Sequence, residues 1–281
     1  MTESQCLQHI PRLTDMLSVS QLSVTQSRGT ALPGRVGRVF GGQVVAQALA
    51  AAAAVVPPHL LPNALQTSFV NPGDPGLEIT YTSRVHKPGR SLWVVDVEAT
   101  QPSESDRGLL LRGTFSFHRP EDSPEFQDAM PDVPGPEDLS EVDYIPPGTA
   151  GEVRRPFEFR YCDGAAIGDA PAPPLQQVWL RARQALPDDP RVHAAALAFA
   201  TDLSLTRTAH MPLRAYGSRR LGASLDHSVW FHRTAQVDGW LLFSQTSVVF
   251  TGARALSIGG IFDEQGRRVA TAVQEALIRI E

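Results

Sequence analysis

Asp202 is the residue of this chain whose setting most needs explaining. It stands at the end of Val192-His193-Ala194-Ala195-Ala196-Leu197-Ala198-Phe199-Ala200-Thr201-Asp202-Leu203, where nearly every neighbour is apolar. At helical spacing it shares a stripe with Ala195, Ala198 and Phe199, so its carboxylate points toward a partly buried surface. A carboxylate taken out of water without partners costs on the order of several kcal/mol, and a chain keeps one only when partners are supplied. Gln274 is one candidate. In the last strand-like run, Ala270, Ala272, Gln274 and Ala276 share a face and Val269, Thr271, Val273 and Glu275 share the other. The small-residue face suits close approach to a helix. Ser224, which opens another such run, offers a hydroxyl. A desolvated carboxylate flanked by an amide and a hydroxyl can hold a water and take its proton. Each residue also has an ordinary reading, as a helix-end Asp facing solvent, a hydrogen-bonded core Gln and a strand-start Ser.

Positioning these groups is the task of a repeated set of elements. An apolar run from Gly41 to Val56 ends at Pro57-Pro58 and is apolar almost all round, the mark of a helix buried on every side. Four β-rich runs follow, Ala64–Val70, Leu77–His86, Ser91–Thr100 and Leu109–His118, separated by Asn-Pro-Gly-Asp, Lys-Pro-Gly and a polar loop. The order recurs in the second half. A helix from Val192 to about Thr206 precedes runs at Ser224–His232, Trp240–Thr251, Arg254–Phe262 and Val269–Ile280. A shift of 160 positions superposes the strands and one nearer 150 the helices, so Ala52, Ala64 and Thr114 are the expected counterparts of Asp202, Ser224 and Gln274. None is a carboxylate, so chemistry is expected in the second half and a scaffold role in the first. The predicted fold is α+β, two central helices each wrapped by an antiparallel sheet, a double hotdog. Its expected divisions are an N-terminal hotdog over residues 1–118, a Pro-rich linker over 119–174 and a C-terminal hotdog over 175–281 carrying the polar set. The linker holds eleven of the 23 prolines, and within it Arg154–Tyr161 alternates aromatic and charged residues like an edge strand.

Composition narrows the function classes. With 281 residues, 42% hydrophobic and 20% charged, the chain can bury a sizeable core as two modules. A net charge of −5 with scattered basic residues argues against nucleic acid as a partner. No apolar run is long enough for a membrane span. Residues 1–27 lack a basic n-region and an h-region, and only Cys6 and Cys162 are present, so the expected location is cytoplasmic. His227 and His232 lie on opposite faces of one strand, and no Cys/His cluster has zinc spacing, so no metal is expected. There is no Gly-x-Ser-x-Gly elbow, and Gly41-Gly42 lacks the pattern of a phosphate loop.

Several stretches resemble one family. They are Val39-Phe40-Gly41-Gly42-Gln43-Val44-Val45-Ala46-Gln47-Ala48-Leu49, Phe69 with Asn71-Pro72-Gly73-Asp74, and Thr201-Asp202-Leu203. To these add Leu225-Asp226-His227-Ser228-Val229-Trp230-Phe231-His232-Arg233, Trp240-Leu241-Leu242 and Val269-Ala270-Thr271-Ala272-Val273-Gln274-Glu275. Together they are similar to the acyl-coenzyme A thioesterase II family of double-hotdog hydrolases. The resemblance implies hydrolysis of acyl-CoA to fatty acid and coenzyme A, no cofactor, a homo-oligomer and a catalytic set at Asp202, Ser224 and Gln274. The chain departs from the family pattern at Gln66-Thr67-Ser68-Phe69, where a His two residues before an aromatic pair is common, and at Val95-Asp96 in place of an Arg pair. Arg219-Arg220 is a candidate contact for coenzyme A phosphates or a solvated loop.

In this reading Asp202 activates water, with Ser224 and Gln274 fixing the same water about 3 Å from each. Two alternatives stand beside it. One is a noncatalytic acyl-CoA binder, which the presence of all three polar positions disfavours. The other is a hotdog enoyl-CoA hydratase, which usually needs an Asp and His pair in a helix-side motif absent here.

Overall fold

The computed structural model describes residues 12–35, 37–103, 108–142, 153–164, 167–216 and 220–280. The chain opens with a short helix α1 (Leu13–Leu17) and strands β1 (Ser20–Gln21), β2 (Gln26–Gly29), β3 (Pro33–Arg35) and β4 (Arg38–Val39). Helix α2 (Gly41–Ala54) then leads into β5 (Leu61–Phe69), β6 (Ile79–Pro88), β7 (Leu92–Thr100) and β8 (Leu109–His118). The second half contains β9 (Phe157–Tyr161), β10 (Leu175–Ala182), α3 (Pro190–Thr201), α4 (Leu205–Leu213), β11 (Arg220–Ser224), β12 (Asp226–Phe231), β13 (Leu241–Thr251), β14 (Arg254–Asp263) and β15 (Arg268–Ile280).

The two sheets of the repeat are halves of one antiparallel sheet, in the order β1-β2-β6-β7-β8-β5-β12-β15-β14-β13-β10-β9, with β11 paired to β15. Central strands β5 and β12 form the seam, running from Asp226↔Ser68 to Trp230↔Ala64. At its middle Thr67 faces His227, 160 positions away, and the Thr67 hydroxyl donates to the His227 carbonyl at 2.8 Å. The strand shift read from the sequence is therefore the relation between the two halves of the seam. Strands β1 to β4, β10 and nearly all of β11 went unpredicted, and two of them extend the main sheet beside predicted strands. β2 pairs with β6 and β10 with β13, each ahead of its helix in the chain, and neither carries a clean period-2 signal. The edge strand expected within Arg154–Tyr161 is β9, paired with β10.

Helices α2 and α3 pack against each other on one side of this sheet, with their ends interlocked. α3 starts cleanly because Asp189 caps it, accepting from the Arg191 N–H at 2.9 Å, and Pro190 occupies the first turn. It ends earlier than predicted. Thr201 is its last residue, Asp202 is the C-cap at φ −77°, ψ −11°, and the chain turns before α4 begins. Asp and Ser compete for backbone groups and favour such turns, which interrupts the apolar pattern that suggested one helix to Thr206. The close approach of α2 requires glycine. A Cβ at Gly42 would lie 2.8 Å from the Phe199 carbonyl oxygen, and one at Gly41 3.1 Å from Asp202 Oδ2.

Past β8 the chain runs extended along the outer face of the second half. Trp179 donates to the Pro134 carbonyl at 2.9 Å, while Met130, Val133 and Leu139 pack on a cluster of Trp179, Trp240, Leu242 and Phe262. Asp128 and Glu125 pair with Arg268 and Arg233.

Candidate active site

The C-terminal end of α3, the N-terminal end of α2 and the inner faces of β11, β12 and β15 converge on Asp202. Each element brings its residue for a local reason. Asp202 is released from the helix by the turn into α4. Ser224 closes β11 rather than opening β12, because the ladder breaks at Leu225, and it pairs across to Ala276. Gln274 points inward from β15 on the small-residue face and is buried.

These side chains touch one another directly. Gln274 Nε2 donates to Asp202 Oδ1 at 2.5 Å and lies 3.0 Å from Ser224 Oγ, while the Ser224 hydroxyl donates to the same carboxylate oxygen at 3.4 Å. The Gln274 carbonyl accepts from the Thr206 hydroxyl of α4 at 2.9 Å. The Gly42 backbone N–H supplies a further hydrogen bond to Asp202. Burial pushes the Asp202 carboxyl up to about 6, outweighing the hydrogen bonds from Gln274, Gly42 and Ser224, which hold it down. At neutral pH it is ionised and more basic than an ordinary aspartate. Such a group, partly exposed at the surface and held by donors, is suited to taking a proton from water.

His227, fully buried on β12, completes the cluster. Its Nδ1 is 3.3 Å from Gln274 Nε2 and its Nε2 is 2.9 Å from the Thr201 hydroxyl, and burial lowers its pKa to about 4, so the ring is neutral. The odd spacing of His227 and His232 sets them only on opposite faces of the strand; the structure buries His227 on the inner one, as a partner of Gln274. Thr206 and Gly42 were missed altogether. Thr206 looked like the last residue of a helix that in fact stops at Thr201, and Gly42 acts through its backbone, which carries no signal beyond glycine itself. Among the described residues no group of three or more His, Cys, Asp or Glu is placed to hold a metal ion. Arg219 and the side chain of Arg220 lie outside the described residues.

The first half differs from expectation in two ways. It contributes to the site, through the Gly42 N–H and the Phe69 ring, whose Cζ is 2.9 Å from where a Gly41 Cβ would stand. And Thr114 is not the counterpart of Gln274: it is exposed, donating to Asp96 at 2.7 Å, whereas its neighbour Gly113 faces Thr67. A one-residue slip in a period-2 strand exchanges its faces, and the 160 shift is off by one in this strand. The corresponding junction, where the end of α2 meets the start of α3, is occupied by Arg191. Its guanidinium donates to the carbonyls of Ala53 at 3.0 Å, Leu60 at 2.8 Å, Val56 and Pro57.

The chain is similar to known proteins over most of its length. Sequence models described as the Acyl-CoA thioesterase N-terminal and C-terminal domains match residues 31–118 and 118–278. The chain is 33% identical over 257 residues to acyl-CoA thioesterase 2 of Haemophilus influenzae, covering 86% of this chain and 88% of that protein. A solved acyl-CoA thioesterase II of Mycobacterium marinum superposes with a TM-score of 0.82 at 32% identity, over 95% of this chain and 98% of that one. A protein of unknown function with a hot dog fold from Alicyclobacillus acidocaldarius superposes at 0.79 with 20% identity, over 95% and 98%.

Proposed function

Because the chain belongs to the acyl-CoA thioesterase II family, we propose that Asp202 is the general base of a thioester hydrolase that cleaves acyl-CoA to a free acid and coenzyme A, with Ser224 and Gln274 orienting the reacting water. The observation that carries this reading is the Asp202 carboxylate itself, desolvated yet held by the Gln274 amide, the Ser224 hydroxyl and the Gly42 N–H. In the free site these groups satisfy one another. Substrate and water then compete for the same donors, so the geometry is prepared before binding.

In the reaction, water loses a proton to Asp202 as its oxygen bonds to the thioester carbonyl carbon, and the carbonyl electron pair moves onto oxygen. Collapse of that intermediate breaks the C–S bond, and the sulfur leaves as thiolate or takes the proton back from Asp202. An ordinary thiol has a pKa near about 8.5, so this departure needs little help. The base carries most of the work. The start of α2 lies beside the carboxylate, and the partial positive charge of that helix end favours the oxyanion as it develops.

The test is thiol release from a panel of short- to long-chain acyl-CoAs by the parent and by Asp202→Asn. Release by the parent and not by the variant supports the assignment. Binding of acyl-CoA without thiol release returns the protein to a noncatalytic binder. The resemblance also implies a homo-oligomer, for which static light scattering is the direct measurement.

A further inference from the structure

His227 and Thr201 take no part in the reaction as written, yet they determine which way the Gln274 amide faces. Burial keeps the His227 ring neutral, so one ring nitrogen carries a proton and the other a lone pair. The choice is made at Thr201. Its hydroxyl has a single proton and lies 3.0 Å from the Ala198 carbonyl, which can only accept. Thr201 therefore offers His227 a lone pair across the 2.9 Å separation, and His227 Nε2 must be the protonated nitrogen. His227 Nδ1 is then an acceptor, 3.3 Å from the Gln274 amide. An acceptor there requires the NH2 edge of Gln274. The carbonyl edge is left to the Thr206 hydroxyl at 2.9 Å.

The reverse orientation would set the Gln274 oxygen against two acceptors, the Asp202 carboxylate and the His227 lone pair, in a buried space where such contacts are costly. We propose that Thr201 and His227 are positioning residues, a relay that runs from the Ala198 carbonyl of α3 through Thr201 and the His227 Nε2–H tautomer and keeps the NH2 edge of Gln274, whose two N–H groups are shared among Asp202, Ser224 and His227 Nδ1, turned toward the carboxylate. Its kinetic consequence rests on the catalytic reading above; its tautomer does not.

Two measurements on the full chain test it. The first is ring 15N spectroscopy of the histidines at pH 7, with His227 assigned by the signal lost in His227→Gln, or by its contact with the Thr201 methyl if that variant does not fold. A proton on Nε2 and a pyridine-type Nδ1 are expected, and an Nδ1–H tautomer or an imidazolium overturns the relay. The second is Thr201→Val, which keeps the shape and removes the acceptor. It should shift His227 toward the Nδ1–H form and lower kcat about tenfold with KM within about twofold, the scale of one buried hydrogen bond. Thr201→Ser should restore both. A Thr201→Val protein with the parent tautomer overturns the relay, whatever its kcat. If the parent releases no thiol, the catalytic reading fails and the tautomer still decides the relay.

Discussion

Asp202 combines two properties that pull in opposite directions, burial that raises its pKa to about 6 and donors that hold it ready. If it is the base, kcat/KM should fall about tenfold for each pH unit below about 6 and level off above, because only the carboxylate accepts a proton and kcat/KM reports the ionisation of the free enzyme. A profile of kcat/KM against pH that stays flat down to pH 4.5 would remove it from that role. Asp202→Asn keeps size and shape and should lower turnover by roughly 10²–10⁴ while acyl-CoA still binds. Turnover near the parent rate would end the mechanism. Ser224 and Gln274 act through the same carboxylate, so the effects of their removal should not add to that of Asp202→Asn.

The helix ends show how one architecture makes two different junctions. Where α2 begins and α3 ends, Gly42 leaves room and its N–H serves Asp202; where α3 begins and α2 ends, Arg191 closes the space and donates to the carbonyls there. Two of them, Ala53 and Pro57, also accept the backbone N–H of Val56 at 3.2 Å and Leu60 at 3.1 Å, so Arg191 gives the helix end charged donors beyond its own backbone. Arg191→Met keeps much of the stem and removes the donors, so it should destabilise the protein by about 2–4 kcal/mol, with turnover per folded molecule nearly unchanged. Thermal unfolding and active-site-normalised thiol release check the two halves of that statement. At the other junction, Gly42→Ala adds a Cβ 2.8 Å from the Phe199 carbonyl oxygen and must push the helices apart. Turnover should fall there along with stability.

On the scale of the whole molecule, Asp202 and His227 make opposite contributions to folding stability across nearly the same pH window. The Asp202 pKa is raised from 3.8 to about 6 in the folded state, so the group disfavours folding once it ionises, fully above about 6, and that cost is relieved as pH falls. The His227 pKa is lowered from 6.5 to about 4, so its contribution is intact above 6.5 and lost as pH falls toward 4. In the parent the two largely cancel. Asp202→Asn leaves His227 alone, so the variant should exceed the parent in stability by up to about 3 kcal/mol near pH 7.5, since one pKa unit is worth about 1.4 kcal/mol. The advantage should vanish by about pH 4. Melting curves at both pH values test this, and an Asp202→Asn protein less stable than the parent at pH 7.5 would make Asp202 a structural residue.

Patterns set by the chain's own periodicity were legible without coordinates: the two buried helices, eight of the strands, the 160-residue relation across the seam, and the inward face of Gln274. These follow from side-chain alternation and helical spacing, which act locally. The break after Thr201, strands β1 to β4 and β10 and the face of Thr114 were not legible, because single turns, weakly patterned strands and one-residue slips are decided by what packs against them. Only the tertiary structure could bring the backbone of Gly42 to Asp202, pair Thr206 and His227 with Gln274, and fill the opposite junction with Arg191. Those contacts join residues from 47 to 160 positions apart, many through helix ends and backbone groups, and neither leaves a repeat in the sequence.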